Sequence, residues 1–112
     1  MKKDNILTEY TLEDFLKWYK ENYSKKLNIP EYGYVVFSAP FEFQIGIIIR
    51  FAESRGFKVS INYSEKYSYW NYYVSHCEFG SKNQTAIKSF KKIAKLALEE
   101  FDKRYNNIFY AL

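Results

Sequence analysis

The chain is short of nearly everything that metal, disulfide and phosphate-loop chemistry needs. It has one cysteine, Cys77, and one histidine, His76, in 112 residues. One cysteine excludes an internal disulfide framework and fits a reducing compartment. With no other His or Cys, a zinc site, which needs four such ligands or close to it, is also excluded. Neighbouring residues on a strand point to opposite faces, so His76 and Cys77 cannot act as base and nucleophile either. The four glycines (33, 46, 56 and 80) stand apart, and no glycine-rich phosphate loop exists. The longest apolar run, Ile45 to Ile49, is far too short to span a bilayer. The start, MKKDNILTEYTLEDF, lacks the apolar stretch of a signal peptide. These absences predict a soluble, cytoplasmic, non-enzymatic protein without metal, cofactor or membrane span.

Aromatic residues and lysine are abundant instead. Tyrosine occurs twelve times and phenylalanine ten, and 47% of residues are hydrophobic, enough for one core. Buried tyrosines need hydrogen-bond partners, so many of these rings belong at the core boundary or on a contact surface. The net charge is +4. It permits an acidic or nucleic-acid partner and excludes a mimic of DNA.

The hydrophobic pattern predicts one α+β domain over 1–112: a small antiparallel sheet of two to three strands packed against two to three helices, in the order α-(β)-α-β-β-α. Residues 1–33 hold a mobile start, a helix over 11–23 and a connection. Thr11 with Asp14 reads as a capping box for that helix. Residues 34–105 form the core, opening with a short strand at Tyr34–Phe37. Residues 41–51 fit both an alternating strand and a helical stripe. Pro40 at the start, the length of the run and Gly56 at its end favour the helix. Gly46 opposes it, at about 1 kcal/mol inside a helix. Phe57, Val59, Ile61 and Tyr63 alternate with polar residues as a half-buried strand. A turn follows at Ser64–Lys66, then a longer strand over Tyr67–Phe79 ended by Gly80 and Ser81. Trp70, Tyr72 and Val74 mark its core face. The last helix spans about Gln84–Tyr105, with Ile87, Phe90, Ile93, Ala94, Ala97, Leu98 and Phe101 inward. Residues 106–112 form an apolar tail that must dock on this chain or on another.

Two groups of candidate contact residues emerge. Lys88, Lys91, Lys92 and Lys95 recur at helical spacing on the outer face of the last helix, either as a solvated face or as a phosphate-binding ridge. Tyr67, Tyr69 and Tyr73 face away from the core beside Lys58. They anchor a protein interface, stack on bases, or lie under helix 1 or the tail. Glu99, Glu100 and Asp102 alternate with Lys103 and Arg104, which reads as a solvated, salt-paired face.

The stretches APFEFQIGIIIRFAESRGFKVSI, YSYWNYYV and AIKSFKKIAKLALEEF resemble a group of short phage and mobile-element proteins with a helix–hairpin–helix core. That resemblance implies a setting, not a site: a small binding protein, monomeric or weakly dimeric, that inhibits a host or defence protein by stoichiometric binding, as anti-CRISPR proteins do. The stretch SFKKIAKLALEE is also similar to the last helix of double-stranded-RNA-binding domains. By that match Lys91, Lys92 and Lys95 contact phosphates, and the protein is a module for double-stranded RNA or DNA. That fold carries three strands between its helices, where residues 57–83 here read as two. Its histidine-bearing first turn is replaced by SEKYS.

Overall fold

The structure is a computed structural model that describes residues 7–24, 41–76, 79–83 and 87–111. Helix α1 spans Glu9–Tyr19 and runs into a π-helical turn, Lys20–Ser24. Helix α2 spans Phe41–Ser54. Strands β1 (Phe57–Ser64), β2 (Tyr69–His76) and β3 (Phe79–Asn83) follow, and helix α3 (Phe90–Phe109) closes the order. The fold is α+β. The strand expected at Tyr34–Phe37, the start before Leu7, Pro40, Cys77 and Gln84 lie outside the described residues.

The ambiguity at 41–51 resolves as helix. Ile45, Ile48, Phe51 and Ala52 are buried at helical spacing, while Glu42, Phe43, Gly46, Arg50 and Glu53 are exposed. Gly46 meets no close neighbour: a Cβ built there has nothing within 4 Å. Gly56 has φ 89°, the left-handed conformation that lets the chain turn tightly from α2 into β1.

β1 and β2 form a regular antiparallel hairpin from Phe57↔His76 to Ser64↔Tyr69. Phe57, Val59, Tyr72 and Val74 are buried on the helix-facing side. Lys58, Ser60, Asn62, Tyr69, Asn71 and Tyr73 therefore take the other side, because side chains alternate along a strand. The second strand is shorter than its pattern predicts. It stops at His76, the chain reverses, and Gly80 and Ser81 lie inside β3 instead of ending the sheet. Sheet order is β1-β2-β3. The span 57–83 thus holds three strands, one more than the hairpin expected there and within the two to three expected of the sheet. An isolated bridge, Trp70↔Ile87, continues the β3 side of the sheet almost to α3.

The layers are simple. α2 lies over β1, and α3 lies over β1 and β2. α1 contacts α2 and α3 and, among the described residues, no strand. It therefore forms a third layer behind the helices and does not cover the outer face of the sheet. Aromatic rings fill the centre. Phe51 meets Phe15, Trp18, Phe101 and Tyr105 at centroid distances of 5.5, 5.6, 6.1 and 5.7 Å.

Both ends of α1 differ from expectation. The helix starts at Glu9 after Thr8, and Thr11 is fully buried inside it. The cap comes from a distant segment. The Thr8 backbone N–H and hydroxyl both donate to Asp102 Oδ1, at 3.0 and 3.1 Å, and Asn106 Nδ2 donates to Thr8 Oγ1 at 3.0 Å. Asp102 is buried, not part of a solvated face; among the described residues only Glu100 forms the expected pair, with Arg104 at 2.7 Å.

α3 starts later and ends later than its sequence suggests. Ser89 is its N-cap, accepting from the Lys92 N–H at 3.2 Å. Lys88 consequently precedes the helix. Residues 106–109 extend it, and Tyr110 docks on this chain: its ring stacks on Tyr10 at 4.7 Å. The Tyr105 and Tyr110 hydroxyls both donate to Asp14 Oδ2, at 2.7 and 2.8 Å. Burial first, then the bond to Asp14, pushes the Tyr105 hydroxyl up from 10.0 to about 12. The hydrogen bond to Asp14, first, raises that of Tyr110 too. A proton held more tightly in the folded state stabilises it fully below the unfolded value near 10, and that contribution disappears as pH rises through about 12. Wild-type stability in urea, followed by circular dichroism, should therefore fall between pH 10 and 12. Tyr105→Phe should flatten that fall; an unchanged slope would contradict the assignment.

Candidate basic and aromatic contact surfaces

The turn between β1 and β2 is Glu65–Ser68, closed by the Ser68 N–H donating to the Ser64 carbonyl at 2.7 Å. Ser68 adopts φ 57°, an unusual conformation for serine. It throws Tyr67 into solvent, where the ring is 58% exposed and stacks on Tyr69 at 5.7 Å and 14°. Lys66 Nζ lies 5.3 Å from the centroid of Tyr67.

The bridge at Trp70↔Ile87 brings the approach to α3 to this same end of the sheet. Continuing that antiparallel register by one residue sets Lys88 level with Tyr69. Phe90 packs on Trp70 at 5.0 Å, and Trp70 on Tyr63 at 5.0 Å, which holds the first turn of α3 against the hairpin. Lys91 and Lys92 sit in that turn and Lys95 one turn on, all exposed. Lys91 Nζ lies 5.4 Å above the Phe41 ring at the start of α2.

Six of the eight expected contact residues therefore share one end of the molecule: Tyr67, Tyr69, Lys88, Lys91, Lys92 and Lys95. Two do not join them. Lys58 pairs with Ser75 at the far end of β1, about 20 Å of strand away from Ser64. Tyr73, opposite Ser60, stands midway along the outer face. Lys66 was not among the expected residues; a lysine inside a tyrosine-flanked turn is the signal that marks it.

The electrostatics of this end are unusual. The first turn of α3 carries two lysines and no acid. Cations there oppose the helix dipole, at about 0.3–1 kcal/mol each when exposed. None of the four lysines joins an ion pair among the described residues. The cluster is thus a local concentration of positive charge with no ion pair among the described residues.

The remaining polar groups look structural. His76 Nε2 lies 3.2 Å from the Arg55 carbonyl, and its ring packs on Phe57 at 4.4 Å. Among the described residues no group of His, Cys, Asp or Glu could hold a metal ion, and no helix is long and apolar enough to cross a membrane.

An α-β-β-β-α arrangement over residues 41–109, with both helices on one face of the sheet, defines the class to which this protein belongs by structure. No protein-family model, curated protein or solved structure matches the chain.

Proposed function

We propose that this protein is a non-catalytic, cytoplasmic binding module that grips a nucleic-acid duplex through Lys88, Lys91, Lys92 and Lys95. One observation carries the reading: the first turn of α3 carries lysines and no acid, against the dipole, and none of the four lysines joins an ion pair among the described residues. Such charges destabilise the free protein slightly and become favourable when phosphates approach and take up the lysine charge. The three strands between α2 and α3 remove one difference from the double-stranded-RNA-binding pattern; the missing histidine turn is a difference that stays.

Four phosphate contacts predict that log K falls against log salt with a slope of about −3 to −4 on duplex DNA. Lys91→Ala with Lys92→Ala should reduce the magnitude of that slope by about 2. Mobility-shift titrations of RNA and DNA duplexes at several salt concentrations measure both. Binding that is absent at low salt, or indifferent to the two substitutions, would rule the reading out.

A second reading rests on the tyrosines. Tyr67 and Tyr73 remain uncovered, at 58% and 37% exposure, and α1 leaves their face open. Exposed tyrosines are common anchors of protein interfaces. They support a stoichiometric inhibitor of a host or defence protein, in the setting that the phage-protein resemblance implies. Tyr67→Ala and Tyr73→Ala should abolish capture of such a partner. Duplex binding should survive both changes if the lysines alone do the work.

A further inference from the structure

We infer that the protein forms a two-fold dimer through the outer edge of β1 and the outer face of α2. The first observation is the edge. Among the described residues no strand pairs with the outer side of β1. Edges are normally blunted by proline, bulges, charge or short length. β1 has eight residues, an unbroken register with β2, no proline and a single lysine. The other edge, β3, is guarded: it is short and has a register shift.

The second observation is the face of α2. The helix packs on β1 below, α3 beside it and α1 behind it. Its remaining side, above the free edge of β1, is Glu42, Phe43, Gly46, Arg50 and Glu53, all exposed. Phe43 is a large apolar ring at 45% exposure. Gly46 has no neighbour inside this chain that would require it. A glycine on an exposed helix face lets a second backbone come close.

Charge complementarity names the occupant as a second copy. In an antiparallel pair of α2 helices centred on Gly46, Glu42 stands four residues before the axis and Arg50 four after it. Each Glu42 then opposes the other copy's Arg50, giving two ion pairs. The strands agree with the same axis. An antiparallel β1–β1 pair centred on Ser60 or Ile61 sets Lys58 opposite Asn62 or Ser64, so no like charges meet. Those centres lie about 10–13 Å along β1 from Phe57. The same distance back along α2 from Ser54 is about seven to nine residues, which brackets Gly46. One axis therefore satisfies both elements and yields a continuous six-stranded sheet.

The interface begins at Glu42, beside the Phe41 ring under Lys91, so mass and not nucleic-acid affinity decides it. Sedimentation of the full chain at high micromolar concentration should give the mass of two copies. Glu42→Arg or Arg50→Glu alone, each folded by circular dichroism, should weaken the dimer about tenfold or more, because like charges then face each other. Glu42→Arg combined with Arg50→Glu should restore it. Amide exchange of β1 should be slow in the wild-type dimer and faster in either single variant. A wild-type monomer, or a combined variant no tighter than the single ones, would overturn the proposal. A dimer indifferent to all these reversals would overturn it as well and move the contact to the exposed Ile108–Tyr110 end.

Discussion

Phe51→Ala should lose about 3–5 kcal/mol of folding free energy, the usual range for removing a buried phenylalanine. Domains of this size are stable by about 5–15 kcal/mol in total, so the variant should be marginal or unfolded at 37 °C. The reason is position. Phe51 is fully buried and joins α2 to both other helices: Phe15 and Trp18 come from α1, and Phe101 and Tyr105 from α3. No single neighbour can fill the space, because each ring is held by others. Phe101 packs edge-on against Phe57 at 5.0 Å, and Tyr105 donates to Asp14. Arg55 also sits 5.1 Å from the Phe51 centroid and would lose that contact. Urea denaturation followed by circular dichroism measures the loss. Tyr67→Ala, in the exposed turn, is the control and should stay within about 0.5 kcal/mol of wild type. A Phe51→Ala loss below about 1.5 kcal/mol would show that the core can collapse around the cavity, contrary to this packing.

Asp102→Ala should cost about 1.5–3 kcal/mol, because the acceptor it removes is buried and serves a backbone donor and a hydroxyl at once. Those donors are the Thr8 N–H and the Thr8 hydroxyl. They begin α1, whose N-cap side chain accepts no hydrogen bond from the helix's own first turn. The carboxylate also faces the positive end of the α1 dipole. The loss should be local before it is global: exchange of the amides at residues 8–12 should accelerate most. Asp102→Asn keeps an acceptor and should lose less. Glu99→Ala, exposed on the same helix, should change stability by no more than about 0.5 kcal/mol. Equal effects of Asp102→Ala and Glu99→Ala would show that Asp102 does not cap α1.

The lysine cluster was legible as residues and illegible as a place. The spacing of Lys91, Lys92 and Lys95 identifies one helix face. It says nothing of Lys88, which a helix from Gln84 would have carried and which in fact precedes the Ser89 cap. Nor does spacing say that the Trp70↔Ile87 bridge draws this start towards the Tyr67–Tyr69 turn. Alternation with Trp70, Tyr72 and Val74 puts Tyr69 and Tyr73 on the outer side of the sheet, whereas Tyr67, expected in the same strand, lies in the turn before it. Whether anything covered them depended on α1, which has an amphipathic face suited to a sheet or to other helices alike.

Periodicity by itself determined which side of each regular element faces inward: Ile45, Ile48 and Ala52 in α2, Phe57 and Val59 in β1, Tyr72 and Val74 in β2, and Ile93, Ala94, Ala97 and Phe101 in α3. Side-chain direction repeats with the backbone, so a local pattern suffices for it. The tertiary structure alone decided the reversal after His76, the layer taken by α1, and the cap on Thr8. Those rest on partners far along the chain, such as Asp102 for Thr8 and Asp14 for Tyr105, 94 and 91 residues away. A single hydrogen bond of that span leaves no periodic trace in the residues between its ends, and it forms only once the helices have already met.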